Sequence, residues 1–256
     1  MENVNFVEKK SQVCGNKRKT QNSRHKVKVQ SLKFFVLSFS FAFCALSFAL
    51  TSFAQEIKQP NVAGGFYPDN PQELSQMIDD FLNAANPEPL KGEIFALISP
   101  HAGYGFSGGV AAFGYKLIKG KPYKTVVVIG PSHQYGFYGV SIYPEGFFRT
   151  PLGDLEIDKD FTQKLLNQDK EIFFDKRAFL REHSIEVQLP FLQKVLSGFK
   201  IVPIVTGNCS LANCLKLADL LKDAIGNRKD VLVVVSTDLY HGYDYREAEV
   251  VDNLTL

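Results

Sequence analysis

EIFALISPHAGYGFSGGVAAFGYKLIKG, residues 93–120, decides the fold. An apolar run, IFALIS, leads into a histidine loop and then into a stretch of helical character expected over about residues 109–119. The rhythm returns along the chain. KTVVVIG (124–130) precedes PSHQYGFYG, FKIVPIVTG (199–207) precedes a helix expected over 211–225, and DVLVVVS (230–236) precedes TDLYHGYDY. Unbroken Val/Ile runs mark strands buried on both faces, as in parallel sheets. Strands alternating with helices define an α/β layered fold. The expectation is a layered, mostly parallel sheet flanked by helices. Residues 95–99, 125–129, 201–205 and 231–235 should form one sheet, with their C-terminal ends on one side.

Outward from this core, PDNPQELSQMIDDFL (68–82) reads as a capped helix. Asn70 suits the cap and Pro71 the first turn, and Glu73 can reach back to the cap. Leu74, Met77, Ile78 and Phe81 share a face. GVSIYPEGFFRTPLGDLEID (139–158) breaks the rhythm, and its alternation and turn residues predict a hairpin over the sheet edge or the site. REHSIEVQLPFLQ (181–193) reads as the start of a helix, with Pro190 kinking or restarting it.

The first residues are of another kind. Residues 1–33 hold nine Lys/Arg against two Asp/Glu, and residues 34–54 carry no charge. This is a basic, disordered-type leader followed by the apolar core of a signal peptide, with small residues before Gln55. The alternative is an uncleaved membrane anchor, for which 34–54 is just long enough. Either way the domain, residues 55–256, is expected to be exported to a periplasmic or extracellular space, or membrane-anchored. Membrane contact would come only through the N-terminal segment. Residues 34–256 hold twenty basic and twenty-five acidic side chains, an acidic balance that argues against a nucleic-acid partner. Cys209 and Cys214, in NCSLANC, lack the second pair of a zinc site. They read as two packed thiols, or as a disulfide in an oxidising compartment.

Five histidines are present, one of them (His25) in the leader. His101, His133 and His241 each follow the end of an apolar strand, where ligands collect in open parallel sheets. Any one of them could be a core histidine bonded to a carbonyl. Three at one edge argue for convergence on a site. Imidazole suits iron, copper or zinc. Asp238 adds a carboxylate that could ligate, orient an imidazole or cap a turn. His183 and Glu186 are three apart on a helix face, a candidate acid–base histidine oriented by a carboxylate. Its alternative is a capped helix start with solvated charge. Ser99, Ser132 and Ser236 lie at strand ends but outside G-x-S-x-G, so a serine hydrolase is not supported. GYGFSGG lacks the P-loop lysine and the dinucleotide spacing, and its glycines read as allowing close backbone approach at the site. Phe66, Tyr67, Tyr104, Phe106, Tyr135 and Phe137 read as either a pocket wall or core.

AGGFYP, SPHAGYGFSGGVAAFGY, VVVIGPSH, TPLGDLEID, EHSIEVQLPFLQ and VVSTDLYH stand in this order from residue 63. They resemble the motifs of the Memo family, which includes protein B of the AmmeMemoRadiSam group. The resemblance runs from about residue 61 to the end of the sequence and leaves out the leader. It implies a fold shared with class III extradiol dioxygenases, which use non-haem iron. Carried over by motif, His101 and His133 would be metal ligands and His183 would stand beside the site. Asp238 and His241 would lie at its rim, these last three being the catalytic candidates. Iron or copper is the implied cofactor, with an unknown small molecule or peptide as partner. Family members continue to a cysteine–glycine motif that adds a third metal-site residue, so the domain is expected to be incomplete at its C-terminus. Three functional classes follow: a metal-dependent redox or dioxygenase-like enzyme, a non-catalytic binding or adaptor module reusing the pocket, and a zinc hydrolase. The last is disfavoured because HExxH is absent.

Overall fold

The structure, a computed structural model, describes residues 56–255 except residue 167. The leader and signal-peptide readings lie outside these residues. Among the described residues no helix is long and apolar enough to cross a membrane.

The chain begins with β1 (Ile57–Lys58) and then α1 (Pro71–Ala84). The Asn70 side chain caps α1 by accepting from the backbone N–H groups of Gln72 and Glu73. Leu74, Ile78 and Leu82 are buried along one face. Next come β2 (Ala96–Ser99), α2 (Tyr104–Leu117) and β3 (Thr125–Pro131). α2 starts five residues before the expected position. Among its glycines Gly108 serves helix packing, because a Cβ there would lie 2.5 Å from the Phe81 ring of α1. The close backbone approach expected of GYGFSGG falls at Gly103, where a Cβ would lie 3.4 Å from the Phe66 carbonyl.

β4 (Val140–Ile142), β5 (Phe147–Thr150) and β6 (Gly153–Glu156) follow. The expected hairpin is β5–β6, with Arg149 paired across it to Asp154 at 2.7 Å. β1 adds in parallel to β5 to complete a three-stranded sheet. α3 (Lys159–Leu165) and β7 (Ile172–Phe173) lead to 3-10 turns at Lys176–Ala178 and Glu186–Gln188. α4 (Leu189–Val195), β8 (Lys200–Thr206), α5 (Leu211–Ile225), β9 (Val231–Ser236) and α6 (Tyr245–Thr255) complete the order. α4 thus begins later than expected. Pro190 sits in its first turn, where a missing N–H costs nothing.

The main sheet has the order β2-β9-β3-β8-β4-β7. β2, β9, β3 and β8 are mutually parallel, β4 runs antiparallel to β8, and β7 runs parallel to β4. The four Val/Ile-rich runs therefore lie side by side with their C-terminal ends together, as expected. Side chains on β3 alternate between two cores. Val126 and Val128 pack with α1, α2 and α4, whereas Val127 packs with α3 and α5. All three valines have zero exposure, each burial contributing about 1.5–3 kcal/mol. Burial on both faces is the reason these runs carry no polar alternation. The result is a three-layer α/β/α arrangement with one functional edge. β2 is an edge strand, and beside it Ile98 and Phe106 are exposed at 76% and 91%.

Candidate metal centre

The parallel register delivers the site. His101 follows β2, His133 follows β3 and Asp238 follows β9, each two residues past the last strand residue. At that offset a side chain leaves the sheet and stands over its edge. His183 arrives from elsewhere, on the loop between the two 3-10 turns. Its ring stacks on His133 with centroids 4.5 Å apart and meets His101 at 5.7 Å, and His101 and His133 are 5.0 Å apart. One nitrogen from each of the three rings lies within 4.8 Å of the others, a spacing from which a metal ion could be held. His183, expected beside His101 and His133, stands in one cluster with them.

Hydrogen bonds decide which nitrogen is free on two rings. Ser236 Oγ donates its one hydrogen to the Ser184 carbonyl at 2.6 Å and accepts from the Gln188 amide at 2.7 Å. It contacts His101 Nδ1 at 3.1 Å and has no second hydrogen to give, so His101 Nδ1 carries the proton and donates. This leaves the Nε2 lone pair of His101 open. On His133, Nδ1 donates to the Glu182 carboxylate at 2.9 Å, and again Nε2 is left open. Fixing a tautomer through the far nitrogen is how proteins orient metal-binding imidazoles.

Glu182 is a hub and is 3% exposed. Besides the His133 ring it accepts from the backbone N–H groups of His133 (2.6 Å), His183 (2.8 Å) and Ser184 (2.8 Å). Burial works to raise its pKa. The N–H groups of His133 and Ser184, with the His133 ring, outweigh burial and hold it below the usual carboxylate value. The carboxylate is therefore ionised and acts only as an acceptor.

Burial lowers the pKa of His101, with Asp238 opposing and the other two imidazoles reinforcing the shift. Burial also lowers that of His183, against the pull of Glu182. Both rings are kept neutral, the form that ligates. Asp238 accepts the His101 backbone N–H at 2.9 Å, and its other oxygen stands 3.5 Å from His101 Nε2. The same oxygen is 3.2 Å from Nε2 of His241, a side chain 72% exposed. Asp238 thus joins the edge of the centre to a surface histidine.

Glu186 does not orient His183. It is buried and accepts from the backbone of Asn61 (2.6 Å) and Val62 (2.9 Å) and from the Tyr67 hydroxyl (2.6 Å), with Lys58 at 3.5 Å. Burial lowers the Lys58 pKa despite this carboxylate. Glu186 clamps the 61–67 segment, and that clamp places Phe66 against the His183 ring at 4.8 Å. Of the aromatic residues considered as a pocket wall, Phe66 meets the site. Tyr67 and Tyr104 are buried supports, the latter donating to the Val187 carbonyl at 2.7 Å. Phe106 faces solvent, and Tyr135 and Phe137 stack on each other at 5.9 Å.

Sequence reasoning missed Glu182 as a support, and it weighed Ser236 only as a nucleophile. The signal for Glu182 was its place directly before His183. For Ser236 it was a hydroxyl closing an otherwise apolar strand beside the one that leads to His101.

Fold and site together define an α/β sandwich protein with a three-imidazole centre at the carboxyl edge of its parallel strands. The chain belongs to the Memo family: the family model for Memo-like protein matches residues 58–254. It is 40% identical over 201 residues to a MEMO1 family protein of Thermotoga neapolitana, covering 74% of this chain and 72% of that one. It is 38% identical over 212 residues to a MEMO1 family protein of Methanobrevibacter smithii, covering 78% and 75%. A third relative, the MEMO1 family protein of Saccharolobus islandicus, is 39% identical over 210 residues, covering 75% and 72%.

Proposed function

We propose that this chain binds one divalent metal, iron or copper, on His101, His133 and His183, and works as a metal-dependent redox or dioxygenase-like enzyme on a small molecule. The observation that carries the reading is the convergence of three imidazoles, two of them with Nδ1 engaged and Nε2 free. The donor set fits such a metal, since all three donors are imidazole nitrogens and carboxylates stand behind them. When bound, iron or copper on such a set supplies open coordination positions and electron transfer. The protein's own residues do the rest. Ser236 and Glu182 lock two rings, and Phe66 keeps water from one side of His183. His133, with its side chain 35% exposed, marks the open side where a small molecule enters. Asp238, between His101 and the exposed His241, is placed to pass a proton between the centre and solvent.

The test is metal content. Full-length protein loaded with Fe(II) or Cu(II) should hold about one equivalent, lost in His101→Ala and His133→Ala with the fold retained. His183→Ala should bind more weakly than wild type. Wild-type affinity in His183→Ala would return that residue to the acid–base role read from the sequence. No uptake by wild type would sink the metal reading and favour a binding or adaptor module that holds a small molecule or peptide. The leader supports export. N-terminal sequencing should find Gln55 first in the mature protein, and an intact leader in a membrane fraction would favour an anchor.

A further inference from the structure

α5 begins with a capping box. Ser210 Oγ accepts from the Asn213 N–H, and the Asn213 side chain accepts from the Ser210 N–H. The residue before such a cap and the one four into the helix are the pair whose side chains a helix start brings together, ordinarily as an apolar staple. Here those two positions are Cys209 and Cys214. Both are free thiols, Cys209 half-buried and Cys214 exposed. Cys209 Sγ also lies 3.1 Å from the Gly139 carbonyl, to which it donates. The loop around it is held to residues 137–139 by Gly207 N–H to Gly139 O at 2.9 Å and Asn208 N–H to Phe137 O at 2.7 Å.

We infer that Cys209 and Cys214 form a dithiol–disulfide pair, a redox modification site at the start of α5 that is separate from the imidazole centre. The capped turn sets the two residues at the paired positions of the helix start before any bond forms. Accessibility divides their roles. Cys214, in solvent, is the thiol that attacks. Cys209, whose thiol burial holds in the protonated form, is the one that resolves. With glutathione disulfide as oxidant, the Cys214 thiolate attacks one sulfur of the oxidant, the S–S bond breaks, and one glutathione thiolate leaves. Cys209 then gives its proton to solvent and attacks the Cys214 sulfur of the mixed disulfide, releasing the second glutathione. Two protein thiols are oxidised to one disulfide, and one glutathione disulfide is reduced to two glutathione thiols. The closed loop is short, so stabilisation is modest.

The test uses the full chain with Cys14→Ser and Cys44→Ser, equilibrated in graded mixtures of glutathione and its disulfide, acid-quenched and mass-tagged on remaining thiols. The expected result is joint loss of both thiols, a mass lower by two hydrogens and no retained glutathione. Cys209→Ser should instead keep one glutathione on Cys214, since nothing resolves it. Cys214→Ser should react markedly more slowly. Both variants keep the cap and are checked by circular dichroism. A glutathione adduct that persists on the two-cysteine protein, disulfide-linked dimers, or two thiols still taggable in excess oxidant would overturn the assignment.

Discussion

At the scale of single residues, Glu182 bears most of the site's order. Four N–H donors end on its two oxygens, and they come from the His133 and His183 segments. Glu182→Gln replaces one acceptor oxygen by a donor that must face an N–H. Leaving buried donors unpaired costs about 1–3 kcal/mol. The expected outcome is that much loss in urea unfolding, with metal affinity down about 10–100-fold as His133 loses its orienting partner. Unchanged affinity by competitive chelator titration would show that the ring is held by something else. Which residues the sequence made legible follows the same geometry. His101, His133 and Asp238 were readable because each stands just past an unmistakable strand. His183 was readable as a site residue but not as a member of the ligand group, because β7, the strand before it, has two residues and its segment is irregular. No periodicity locates such a loop. It is held by Glu182 and by Ser184 Oγ donating to the Pro131 carbonyl at 2.9 Å, contacts that exist only once the chain has folded.

Among the elements, strands read well, as did the starts of α1 and α5, and the starts of α2 and α4 read poorly. The four buried strands announce themselves through Val/Ile runs, and α5 begins at Leu211, where it was expected. α2 was placed too late because three glycines in its first turns mimic a loop. Gly108 is required there because α1 presses onto α2, leaving no room for a Cβ. Gly108→Ala should therefore destabilise the protein by about 1–3 kcal/mol through overpacking, although alanine is the better helix former. Adding Phe81→Leu should recover part of that loss, and a double-mutant cycle checks the coupling. The Glu186 clamp is also legible only in three dimensions, since its partners lie up to 128 residues away. Glu186→Ala orphans two backbone N–H groups and the Tyr67 hydroxyl and takes the carboxylate from half-buried Lys58, and should cost about 3–5 kcal/mol. Tyr67→Phe removes one bond and should cost about 1 kcal/mol. Equal losses in denaturant unfolding would refute this assignment of the clamp.

For the whole molecule, a ligand that binds only the folded chain raises its stability. Metal at a hundred times its dissociation constant adds about 2.7 kcal/mol. For a domain of this size that lifts Tm by roughly 5–11 °C. Loading with Fe(II) or Cu(II) should produce such a rise in wild type and none in His101→Ala/His133→Ala, read by differential scanning fluorimetry with chelator as control. A rise in both would place the binding elsewhere.

The sheet order also fixes when the centre can exist. Among the described residues β9 is the last strand in sequence, yet it lies between β2 and β3, which lead to His101 and His133. It brings Ser236 to the His101 ring from 135 residues away. On the ribosome, β2 and β3 emerge with a vacant lane between them, and two of the three imidazoles have no defined separation until that lane is filled. Contacts so distant in sequence form slowly. On the proposed metal reading, a nascent chain stalled before residue 231 should take up no ion at this centre.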